Sequence, residues 1–363
     1  MRRLYPFCAL ALLSACSPNS AQPDANSSAA LKPVQMNEAR FRDDIKNLSS
    51  DEFEGRAPTT QGEKLTLDYL SKAFAEMGLK GAYQGSFLQP VPMVSYTADE
   101  AQQVTLAGLP FKYRQDLVLS SRHDNGGINI ENAPLVFVGY GVNAPEYGWN
   151  DYQDVDMKGK IAVILVNDPG FARPDSGKFN GKAMTYYGRW SYKFEEASRQ
   201  GALGALLIHD TEPASYPWSV VENSWTGPQQ DLVHSKAEQD SRVQVEGWLT
   251  LDTATKLFEK AGLSLPTLMA RAADSPISLS LEQTASIAFK NKAEYANSYN
   301  VVATLPGTKQ VDEQILFTGH WDHIGKDDSK EGDKIYNGAM DNASGIAGIL
   351  EIARQLADNA KQG

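Results

Sequence analysis

A chain of 363 residues is long enough for two or three domains, and 42% hydrophobic against 22% charged residues supplies sizeable cores. The formal net charge of -11 argues against nucleic acid as a partner, because phosphate binding asks for a basic surface. Only two cysteines occur, Cys8 and Cys16, so a disulfide framework or a thiolate metal site is excluded from the body of the chain.

The first elements belong to export. Arg2 and Arg3 give a basic start, and residues 7–13 form an apolar run too short to span a bilayer. Leu13-Ser14-Ala15-Cys16 follows, and small residues before a cysteine are the pattern read by bacterial lipoprotein processing. Residues 1–15 are therefore expected to be a signal peptide, with lipidation at Cys16. Residues 16–37, rich in Ser, Asn, Ala and Pro, read as a flexible tether. Several acyl chains anchor stably where a single one does not. Ser17, in place of an aspartate after the cysteine, favours the outer membrane. The expected location is the periplasmic face of that membrane or the cell surface, with membrane anchoring through the lipid on Cys16.

From Asn37 the pattern turns helical, with Phe41, Ile45 and Leu48 at helical spacing. A polar turn spans residues 49–56. Thr60 and Glu63 suggest a capping box opening a helix with Leu67, Leu70, Phe74 and Met77 on one face and Gly78 at its end. Short strands are expected over residues 83–115, including a hairpin through 104–110. Apolar runs at 135–141, 160–166 and 201–208, with helices at 192–200 and 252–261, form a second α/β unit with its own core. The last segment predicts strands at 299–305 and 314–318 joined through Pro306-Gly307, a polar loop over 325–337, and an amphipathic helix at 344–358.

The sharpest chemistry follows the 314–318 run. It stops at Gly319 and delivers His320, and ligands gather at the carboxyl ends of strands in α/β sheets. His320 and Asp322 are two apart, so on extended backbone they share a side. That spacing suits a metal-binding imidazole whose second nitrogen is held by a carboxylate. Asp341 lies just ahead of a helix, where a carboxylate can bridge two divalent ions about 3.5 to 4 Å apart. An isolated His-x-Asp reads more readily as a surface histidine beside a solvated aspartate than as a metal site. The glycines and the helix-start Asp341 favour the metal reading.

Residues 319–325 (GHWDHIG) and 337–354 (NGAMDNASGIAGILEIAR) resemble the M28 zinc metallopeptidases, the aminopeptidase and glutamate-carboxypeptidase-like group. Residues 48–56 (LSSDEFEGR) and 60–79 (TQGEKLTLDYLSKAFAEMGL) are similar to that family's amino-terminal helical segment. Residues 135–170 and 192–210 resemble the protease-associated (PA) domain commonly inserted in such enzymes. The likeness covers nearly everything from about residue 38 onward.

The resemblance implies an α/β fold: a zinc-peptidase sheet domain, incomplete here, split by a PA-type β/α domain. Peptidase segments would occupy residues 38–115 and 291–363, and the insert 116–290. It implies His320 as first zinc ligand, Asp322 as the catalytic-site carboxylate orienting it, and Asp341 as the bridge between two zinc ions. It also implies a cis peptide after Asp341. The implied activity is hydrolysis of a peptide substrate by a water activated between two zincs, as an aminopeptidase.

The family next supplies a Glu-Glu pair, general base then ligand, a further acidic ligand and a last histidine. None has a counterpart here, and Glu195-Glu196 precedes His320 inside the insert. The 363 residues are thus expected to be a fragment of a longer peptidase and inactive alone. The competing expectation is a catalytically inactive binding or scaffold protein of the same architecture. A two-metal phosphoesterase would carry further His and Asn ligands at other spacings. Oligomeric state stays open.

Other residues carry less. His323 faces away from Asp322 on extended backbone and reads as a surface or supporting group. His123, His209 and His234 receive no chemistry. The charges from Lys326 to Lys334 read as a solvated loop. Trp218 and Trp225 suit either a cleft wall or packing.

Overall fold

The computed structural model describes residues 35–361, Ser329 excepted. The expected signal peptide, Cys16 as the expected lipidation residue and nearly all of the expected tether lie outside the described residues. Among the described residues, no helix is long and apolar enough to cross a membrane.

The first and last described segments build one core. Helix Glu38–Leu48 opens with the Asn37 side chain accepting from the Arg40 amide, and helix Gln61–Met77 closes on Gly78 in the left-handed region. Leu48, Leu70, Phe74 and Met77 pack with Ile346, Leu350 and Ala357 of helix Ser344–Ala360. The apolar stripe read from the sequence is therefore the contact face. The expected capping box does not form. The Thr60 hydroxyl donates to the Ala57 carbonyl at 2.6 Å instead. Glu63 is buried, takes the Thr59 amide, and accepts from the Ser298 hydroxyl at 2.9 Å. A tertiary partner has drawn the carboxylate away from the cap.

Between these segments lies a mixed ten-stranded sheet with helices on both sides, an α/β architecture. Strands Gly127–Phe137, Ile161–Leu165, Gly204–His209 and Val245–Thr250 run parallel in that order, and Leu117–Ser120 closes one edge antiparallel. Ile161–Leu165 and Gly204–His209 are buried along their whole length, which explains their continuous apolar sequences. Alternate residues feed two cores: Ile161, Val163 and Leu206 on one face, Ala162, Ile164 and Leu207 on the other. Helices Leu251–Lys260 and Leu265–Asp274 cover the first face, and Trp190–Arg199 and Trp218–Trp225 contribute Phe194, Val221 and Trp225 to the second.

One strand connects the two parts. Leu279–Val301 pairs with Gly127–Phe137 as far as Lys290, then with Leu88–Ala98 from Asn291. Residues 290 and 291, where the sequence suggests a domain change, lie inside this strand. The hairpin expected at 104–110 forms as Gln103–Leu106 against Leu109–Pro110. The strand expected at 314–318 does not form. Its residues are extended and unpaired, with Ile315 86% and Leu316 84% exposed. An apolar run becomes a strand only where a neighbour pairs with it, and no described strand lies alongside.

Candidate metal centre

His320 follows the unpaired run directly. Gly319 brings the backbone against helix Ser344–Ala360, where a Cβ would sit 3.1 Å from Ile349 Cδ1. From the other side, a short turn, Ala339–Ala343, carries Asp341 to the start of that helix. The Asp341–Asn342 peptide is cis. The Asn342 side chain then accepts from the Gly345 amide at 3.2 Å, satisfying a donor at the helix start.

The structure brings all three sequence-derived residues together. His320 Nε2 lies 3.1 Å from Asp341 Oδ1. His320 Nδ1 lies 3.1 Å from the Asp322 carbonyl oxygen and 3.5 Å from its carboxylate. The main-chain oxygen is thus the nearer partner of the ring, with the carboxylate just outside ordinary hydrogen-bond range. The side chains are open to solvent, with His320 54%, Asp322 45% and Asp341 71% exposed.

An imidazole nitrogen and a carboxylate oxygen converging at the surface suit a borderline divalent cation such as zinc. His320 and Asp341 would hold it. Zinc asks for three or four protein donors. Among the described residues, no group of three or more His, Cys, Asp or Glu is arranged to hold a metal ion. The donor set therefore fits one side of a metal site.

The residue that sequence reasoning missed is Arg56. It is almost wholly buried, and its guanidinium donates to main-chain carbonyls on both loops of the site. Burial pushes its pKa down, and the charges of Asp322 and Asp341 pull it back up. The signal available was the Glu54-Gly55-Arg56 run ending the polar turn. All three residues have positive φ.

The remaining histidines have structural partners. His323 presents its amide to the Arg56 carbonyl at 3.3 Å. His123 Nε2 meets the Val243 carbonyl at 3.2 Å, His209 Nε2 the Tyr216 carbonyl at 3.0 Å, and His234 lies beside Asp231 and Arg242. Glu196 is buried and bonded to Arg199 and Gln200, and Glu195 accepts from Tyr186. Trp225 packs against Trp190, Phe194 and Trp248 in the core. In the charged loop, Lys326 reaches Glu54 at 2.9 Å.

Residues 300–363 match the family model for peptidase family M28. No curated protein matches the chain in sequence. Among solved structures, the chain is similar to an aminopeptidase from Aneurinibacillus sp. strain AM-1, at 19% identity and a TM-score of 0.45, covering 89% of this chain and 60% of that one. It is similar to a zinc aminopeptidase from Bacillus subtilis, at 16% identity and a TM-score of 0.39, covering 89% and 59%. A peptidase M28 precursor from Shewanella amazonensis SB2B gives 15% identity, a TM-score of 0.38, and coverage of 88% and 63%. The chain thus spans about three fifths of the length of these proteins.

Proposed function

We propose that this chain, whose residues 300–363 match the family model for peptidase family M28, is part of an exported two-zinc aminopeptidase. The observation that carries the reading is the 3.1 Å approach of His320 Nε2 to Asp341 Oδ1 at an exposed edge. In this reading His320 and Asp341 would hold the zinc, and Asp322 would fix the ring of His320 through its nearby oxygens. The ions, when bound, polarise the scissile carbonyl and acidify a water. The chain's own residues orient the ligands and leave that edge open to a peptide substrate.

The general base and the remaining ligands then come from polypeptide beyond this sequence. Two observations support this: the partial donor set, and the uncovered Ile315 and Leu316 next to it. Exposed apolar residues in a row signal a covering partner. The leader pattern supports an outer-membrane lipoprotein anchored through Cys16.

The test is zinc titration calorimetry on the complete gene product, after reading the coding DNA past codon 363. The reading predicts a downstream Glu-Glu pair and a later histidine, two zinc ions per chain, and an affinity loss of more than about a hundredfold in His320→Ala. A stop codon after Gly363, with a folded protein that binds no zinc, would leave the scaffold reading standing instead.

A further inference from the structure

Residues 48–56 lie against both loops of the metal centre. Glu54, Gly55 and Arg56 are left-handed in succession, with φ of 47°, 68° and 54°. The run is held close: a Cβ on Gly55 would sit 2.2 Å from the Gly325 carbonyl oxygen and 2.6 Å from that of Tyr336. Only glycine allows this approach. It brings Arg56 beneath the site.

Arg56 then bonds in two directions. Nε donates at 2.9 Å to the carbonyl of Trp321, the residue between His320 and Asp322. Nη1 donates at 2.7 Å to Asn337, and Nη2 at 2.8 Å to Gly338, at the base of the turn that carries Asp341. Nη1 also reaches the Leu48 carbonyl. The Arg56 carbonyl accepts from the His323 amide. A second tie runs parallel: the Asn337 amide group donates to Ser49 O at 3.0 Å and Asp51 Oδ1 at 2.8 Å. Gly338 leaves no room for a side chain, since a Cβ would lie 2.6 Å from Arg56 Nη2.

We propose that Arg56 is a positioning residue that sets the separation of His320 and Asp341 by fastening the His320 loop and the Asp341 turn to one guanidinium. Its guanidinium bonds main-chain carbonyls and not the side chains of His320 or Asp341, and the inference rests on the metallopeptidase reading above. The rigid fork is essential, because a lysine offers a point charge and cannot span both loops with fixed geometry. Groups behind metal ligands commonly govern affinity by about 10- to 100-fold.

The test uses the complete gene product loaded with cobalt(II), whose visible spectrum reports ligand geometry. Wild type, Arg56→Lys and Asp44→Asn are compared for metal affinity, spectrum and Tm. Asp44→Asn serves as a control that loosens the same core away from the loops. The inference predicts about tenfold weaker metal binding and an altered spectrum in Arg56→Lys, and wild-type affinity and spectrum in Asp44→Asn. Should Arg56→Lys fail to fold, Asn337→Ser loosens the same turn and is expected to weaken binding about tenfold. Wild-type affinity and spectrum in Arg56→Lys, or in Asn337→Ser where that variant stands in, would overturn the inference alone. So would an equal loss in Asp44→Asn. Failure of the wild-type protein to bind metal would overturn the metallopeptidase reading and the inference together.

Discussion

Lys193 is fully buried, and its ammonium donates to the carbonyls of Tyr140 and Tyr187, both at 2.6 Å. Burial pushes its pKa down to about 7 from an ordinary 10.5. Between those values the unfolded chain binds more protons than the folded one, so this group makes stability rise with pH from about 7 to 10.5 and adds no slope below or above. Lys193→Met is expected to remove that slope. Urea midpoints of wild type and variant should diverge across this window, with wild type gaining, and parallel curves would contradict the assignment. Single residues differed sharply in how legible they were. His320, Asp322 and Asp341 could be found because their spacing and flanking glycines are written in the sequence. Lys193 could not, because its partners are main-chain carbonyls, which leave no mark in residue identity, and Arg56 was marked only by the Glu54-Gly55-Arg56 run that ends the polar turn. On an amphipathic helix Lys193 reads as one more surface charge.

Helix Glu38–Leu48 docks on helix Ser344–Ala360 through a polar contact as well as an apolar one. Arg354 bonds both oxygens of buried Asp44, at 2.6 and 3.2 Å, and the Tyr69 hydroxyl adds a third bond at 2.5 Å. Removing Asp44 leaves the largely buried Arg354 guanidinium with only the Glu351 carboxylate, 3.7 Å away, to face. Asp44→Ala is therefore expected to destabilise this core by about 3 kcal/mol. Chemical denaturation would check this, and a change under about 1 kcal/mol would mean that the pair is solvent-screened. The helices were readable from periodicity and from stops such as Gly78. The buried parallel strands were readable as unbroken apolar runs. Leu279–Val301 was not: its second half is polar, and register shifts between residues 280 and 287 break the alternation. The run at 314–318 misled in the opposite way. It has a strand's composition, but composition does not supply the neighbour that makes a strand.

Across the whole molecule, the first and last described segments share one core and the middle forms another sheet with two cores of its own. Leu279–Val301 ties them, and Gln230 of the middle segment reaches the Pro58 carbonyl at 3.4 Å, two residues from Arg56. The candidate metal centre stands at the exposed margin of the first core, beside the uncovered run at 315–317. This placement suits a site completed by further polypeptide. The most direct measurement is zinc-dependent release of p-nitroaniline from leucine p-nitroanilide, made side by side on the complete gene product, its His320→Ala variant and the 363-residue chain. Turnover is expected from the complete product, lost on chelation and restored by zinc, and none from the other two. Zinc-dependent turnover by the 363-residue chain, or undiminished activity in His320→Ala, would contradict it.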